Sequence, residues 1–193
     1  MIPDRFARPV YGYHGCTQAL ADELISGARS VDAWPRSRNE YDWLGHGLYF
    51  WEHGPQRARE WSLANGRDGG VVGAHIQLGR CLDLADTRYT EILVDAFESV
   101  RELYEGLGQP LPVNEGKRNN LDCLVINYLL EYYRNPQFQT VRCPFLEGRP
   151  AFTGSRIRLQ SHIQISVIDS ECILGVFRPN ISHDLGSQSD ANE

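Results

Sequence analysis

Residues 11–16 read Tyr-Gly-Tyr-His-Gly-Cys, and the run from Thr17 to Ser26 follows as Thr-Gln-Ala-Leu-Ala-Asp-Glu-Leu-Ile-Ser. The first piece is short, aromatic and punctuated by glycine, which suits a strand ending in a tight turn. The second is predicted helical: Thr17 is a ready N-cap, Leu20, Leu24 and Ile25 fall on one face, and Gly27 stops the run. The chain therefore opens as strand, turn, helix.

Working outward, Val31 to Leu44 mixes Pro, Asn, Asp and Trp without a period and is expected to be an ordered loop leading into Gly45-His46-Gly47 and a strand from Leu48 to Trp51. Pro55 opens the next helix in its first turn, and Asn65-Gly66 ends it. Val71 to Leu84 alternates as one strand, kinked or bulged at Gly79. Two amphipathic helices are predicted over Thr90 to Leu107 and Asn120 to Tyr133. Thr140 to Ile157, broken by Pro144, Gly148, Pro150 and Gly154, is expected to be a basic loop. Strands follow at Ser161 to Ile168 and Cys172 to Phe177. These elements give an α+β domain over residues 1–180, with a Ser/Asp/Asn-rich tail over 181–193 expected to be disordered.

Composition fits that outline. The chain has 193 residues, 41% of them hydrophobic and 23% charged, enough for one core without disulfides or metal as staples. Met1 to Val10 carries Asp4, Arg5, Arg8 and two prolines where a signal peptide would be apolar, and no stretch reaches the roughly 18 apolar residues of a membrane span. A cytoplasmic protein that does not engage membranes is expected. The five cysteines are scattered, with no Cys-x-x-Cys pair, so neither a disulfide framework nor a zinc site is indicated. With 19 Lys+Arg against 25 Asp+Glu, the net charge of −6 works against sequence-independent nucleic-acid binding over the whole surface.

The chemistry is expected on three strands that carry polar groups among apolar neighbours: Tyr13-His14-Gly15, Gly45-His46-Gly47-Leu48-Tyr49-Phe50, and His162-Ile163-Gln164-Ile165. A histidine beside a glycine places an imidazole next to backbone that a planar ligand can approach closely. An aromatic ring on a neighbouring strand can cover that ligand.

This order of motifs resembles the ADP-ribosyltransferase fold, closest to the diphtheria-toxin and poly(ADP-ribose) polymerase branch with its His-Tyr-Glu signature. The resemblance runs from Tyr11 to Phe177 and implies a split antiparallel sheet around an NAD cleft. It implies that His14 hydrogen-bonds the adenine-side ribose, that the Gly15 backbone pairs with the nicotinamide carboxamide, and that Tyr49 stacks on the nicotinamide. Asn39, in the loop before the second strand, would cover NAD from the donor side. Gln164 stands where the family has its catalytic glutamate. A glutamine accepts the same hydrogen bond from the ribose 2′-hydroxyl but brings no charge and cannot act as a base.

That departure implies transfer of a single ADP-ribose to a macromolecule with release of nicotinamide, and argues against polymer growth. The alternatives are an NAD glycohydrolase, with water as acceptor, and a non-catalytic module that binds NAD or ADP-ribose. A toxin role, with an antitoxin as partner, fits either activity. Arg149, Arg156 and Arg158 lie in the segment that contacts the acceptor in this family, which implies an acidic or phosphate-bearing acceptor, protein or nucleic acid. In a chain of net negative charge the same arginines also fit ordinary surface ion pairs. His46, His162 and Glu171 are set aside as catalytic groups.

Overall fold

Nine strands and four α-helices build the described part of the chain, residues 8–133 and 137–181 of a computed structural model. In chain order they are β1 (Pro9–Cys16), α1 (Gln18–Ile25), β2 (Leu48–Glu52), α2 (Pro55–Ala64), β3 (Gly70–Gln77), β4 (Cys81–Asp83), α3 (Thr87–Gly106), the two-residue strands β5 (Asn114–Glu115) and β6 (Arg118–Asn119), α4 (Asn120–Tyr132), β7 (Thr140–Phe145), β8 (His162–Val167) and β9 (Ile173–Phe177). The tail beyond residue 181 lies outside the described residues. Among those described, no helix is long and apolar enough to cross a membrane.

Local chemistry accounts for most boundaries. The Thr17 hydroxyl accepts from the Leu20 amide at 3.2 Å and starts α1, Pro55 occupies the first turn of α2, and the Asp86 carboxylate accepts from the Arg88 amide at 3.1 Å to start α3.

Seven strands form one sheet in the order β4-β7-β8-β2-β1-β3-β9. The class is α+β as expected, but the sheet is mixed: β4 and β7 run parallel, and its other neighbouring strands pair antiparallel. Two sequence readings need correction. Val71 to Leu84 is two strands, because Gly79 takes a positive φ of 58° and turns the chain from β3 on one side of the sheet to β4 at its far edge. Only Leu78, Gly79 and Arg80 join them, so the sheet curls until its ends meet. Thr140 Oγ1 closes the joint by donating to the Leu78 carbonyl at 2.5 Å, and the Gln139 amide donates to the Arg80 carbonyl at 2.8 Å. The second correction concerns residues 140–145, which form an interior strand of the sheet, beside its edge strand β4, and not loop. Pro144 and a mid-strand Arg142 disguise its pattern.

Arg142 is buried because it is fully matched. Its guanidinium grips Glu52 at 2.6 and 3.1 Å and Asp83 at 3.1 Å, and Arg8 adds a second contact to Asp83 at 3.1 Å. One face of the sheet holds a core of Val10, Phe50, Ile76, Ile165 and Val167 under α1. On the opposite face α3 and α4 pack over Val141, and α2 packs over Trp51 and Val71.

Candidate functional site

Three central strands carry the three polar motifs side by side, in the order β8-β2-β1. Their register sorts the side chains. Tyr13 pairs with Trp51, Trp51 with Gln164 and Gln164 with Cys143, while Tyr49 pairs with Ser166. Directly paired residues share a face, so Tyr49 and Gln164 lie together on the face opposite α1 as diagonal neighbours, about 7–8 Å apart between backbones. His14 belongs to the opposite face, with Val10 and Phe50.

The gap between β1 and β2 is the opening in this arrangement. The two strands pair only at Gly12–Glu52 and Tyr13–Trp51, after which β2 stays with β8 and β1 with β3. The His53 amide donates to the Tyr11 carbonyl at 3.0 Å, so the peptide groups of Tyr11, Tyr13 and Gly15 face the β2 side by the alternation of an antiparallel ladder. Past Tyr13 that side has no strand partner among the described residues. The amide and carbonyl of Gly15 therefore point into the gap. His14 bridges it: Nδ1 donates to the Tyr49 carbonyl at 2.8 Å, which fixes the proton on Nδ1 and leaves Nε2 as the acceptor. Burial pushes the His14 pKa down to about 4, and the ring is neutral near pH 7.

On the face opposite α1, Gly15 sits under α2. A Cβ there would stand 2.1 Å from the Ala58 carbonyl and 3.3 Å from the Trp61 indole. Trp61 is partly exposed, 5.8 Å from the Trp51 ring and capped by the Arg67 guanidinium at 4.7 Å. In the sequence Trp61 is one apolar position of a helix, and its spacing gives no hint that it reaches the glycine of another motif.

The Tyr49 hydroxyl donates to the Gly45 carbonyl at 2.6 Å and accepts from the Leu44 amide at 2.8 Å, and burial pushes its pKa far up. Tyr49 thus ties the glycine-rich loop to β2, leaving its ring as the part that can touch a ligand. The Gln164 side chain is half-buried and makes no hydrogen bond to the described residues. Asn39 is turned into its own loop, donating to Ser37 at 2.9 Å and Asp42 at 3.2 Å. Arg149, Arg156 and Arg158 sit on an exposed arm between β7 and β8. Beside Gln164 on β8, His162 donates from Nδ1 to the Gln160 carbonyl at 2.8 Å and lies 3.7 Å from Glu147, which Arg57 also holds at 3.2 Å. Glu171 lies in the turn after β8, at the opposite end of that strand from Gln164.

No known protein family, no curated protein and no solved structure matches the chain.

Proposed function

We propose that the chain consumes NAD as an ADP-ribosyltransferase-like enzyme, moving one ADP-ribose unit to a macromolecular acceptor and releasing nicotinamide. The observation that carries the reading is the short β1–β2 ladder. It turns both the donor and the acceptor of one residue, Gly15, into a gap bordered by Tyr49, which is the pairing a carboxamide requires. The partly exposed Trp61 indole and the Tyr49 ring supply flat apolar surfaces for a nicotinamide ring.

Gln164, uncommitted to other side chains and on the same face as Tyr49, is placed to accept a hydrogen bond from the ribose 2′-hydroxyl while the bond between ribose C1′ and the nicotinamide nitrogen breaks. The bonding pair leaves with nicotinamide, the acceptor adds to C1′, and its proton goes to solvent. His14 acts through the Tyr49 carbonyl, holding the two edges of the gap in place. A second reading, a module that binds NAD or ADP-ribose without turnover, rests on one observation: Gln164 is neutral, while Glu147 beside His162 is already matched to Arg57 and Glu52 next to Trp51 is matched to Arg142.

Nicotinamide release by the purified chain tests both, with and without cell lysate. Wild type should release nicotinamide, Tyr49→Ala should lose it, and label from the ADP-ribose half should appear on lysate macromolecules. Binding of NAD without release, unchanged by Gln164→Glu, would favour the module. No binding at all would sink both readings.

A further inference from the structure

The segment between β7 and β8 is an ordered arm. Its two limbs are laced by Gln160 N to Glu147 O at 3.1 Å, Leu159 N to Arg149 O at 3.1 Å and Ala151 N to Ile157 O at 2.9 Å, and a Phe152–Ser155 turn closes the tip. The arm turns apolar side chains outward: Leu146 is 79% exposed, Ile157 68%, Phe152 67% and Leu159 53%. From Gly148 to Ser161 it has no Asp or Glu, and among the described residues Arg149, Arg156 and Arg158 form no ion pair. Apolar residues interleaved with unmatched arginines, on backbone already ordered, describe a docking surface and not a solvated loop.

A surface of complementary character lies beside it on the same chain. An apolar cavity of about 350 Å³ opens between α3, α4 and β7, lined by Trp43, Leu93, Val94, Phe97, Leu121 and Phe145, with Asp122 on its wall. Val94 at its mouth is exposed, and one turn before it on α3 stands the exposed Glu91, while Glu98, one turn after it, is held by Arg101 at 2.7 Å. The cavity can take an aromatic side chain, and its carboxylates match the arm's arginines. The arm does not fill the cavity of its own chain, since its apolar side chains remain exposed. The two surfaces are contiguous, because Phe145 lines the cavity and Leu146 begins the arm. A contiguous patch holding both halves of a match is self-complementary, the condition for a closed two-fold interface.

We propose that this chain self-associates by arm exchange: the 146–161 arm of each copy seats Phe152 in the α3–α4 cavity of the other, with its arginines against Glu91 and Asp122. Aliphatic side chains outnumber the single aromatic on the arm, which favours a protein surface over nucleic acid, where stacking would call for aromatics. The proposal stands apart from the NAD reading.

Sedimentation of the full chain over a concentration series tests it. Wild type should dimerise, more weakly at high salt. Phe152→Asp on the arm and Val94→Arg at the cavity mouth, both exposed positions that leave the core intact, should each weaken dimerisation by about tenfold or more. An equimolar mixture of the two variants should dimerise again: at one of the two contacts an intact arm meets an intact cavity, and at the other the introduced carboxylate faces the introduced guanidinium. A monomer at every concentration overturns the proposal, as does a dimer indifferent to both variants or a mixture that stays monomeric. A monomer whose lysate labelling falls with Arg156→Glu would give the arm to a different macromolecule and overturn it as well.

Discussion

The imidazole of His14 and the carbonyl of Tyr49 meet at 2.8 Å across the gap where β1 and β2 part. The contact is a neutral hydrogen bond made inside the protein, and protonating Nε2 would place a charge where burial disfavours it.

Stability should therefore fall with acid in a window set by this group. Its folded pKa is about 4 against an ordinary 6.5, so the unfolded chain takes up the proton first. The contribution is fully present above pH 6.5 and is lost as the pH drops toward 4, amounting to at most about 2 kcal/mol between pH 7.5 and 5. His14→Gln removes the titration. Urea unfolding at the two pH values should show a smaller difference in the variant than in wild type, and an equal difference would show that His14 does not carry the effect.

A methyl group at position 15 should be costly. The Ala58 carbonyl stands 2.1 Å from where it would lie, and that carbonyl is backbone, so α2 must shift away from β1. We expect Gly15→Ala to lose about 1–3 kcal/mol by thermal unfolding, as overpacked cores do. Gly175→Ala on β9, with nothing within 4 Å of the added carbon, should stay within about 0.5 kcal/mol. A Gly15→Ala protein as stable as wild type would mean that α2 does not press on β1 there.

Breaking the buried ion cluster should hurt more than replacing it. Arg142→Met leaves Glu52 without its bidentate partner, and we expect about 3–5 kcal/mol of lost stability. Adding Glu52→Gln should recover part of that loss, because the stranded charge is gone, while Asp83 keeps Arg8. A double variant no more stable than the single one would show that shape, not charge, sets the cost.

Much of the fold can be read from local signals: the Thr17 cap, Pro55 at the start of α2, the stripe of α3 and the alternation of β8 all carry their reasons in nearby residues. What escapes depends on distant partners. β7 looks like loop because Arg142 in a strand is acceptable only once Glu52 and Asp83 close around it. The break at Gly79 makes sense only when Gln139 and Thr140 arrive beside it. At the candidate site the residue types are legible, and so is the succession of strands. The face each side chain occupies is not, since period-two patterns give alternation but not the register between strands. Hence His14 lies behind the sheet from Tyr49, and Trp61 joins Gly15 from a helix.

The pairing of Trp51 with Gln164 joins positions 113 apart in the chain. During synthesis β1, β2 and β3 leave the ribosome long before β8, and until β8 arrives β2 has only its two-rung hold on β1. The half-built sheet also exposes the edge that β8 will cover, and pairings of such long range form slowly. A nascent chain therefore carries Gly15 and Tyr49 but no assembled cleft. Whatever chemistry this protein performs is withheld until its C-terminal strands have been made, and any truncation before residue 167 should abolish it whichever residues remain.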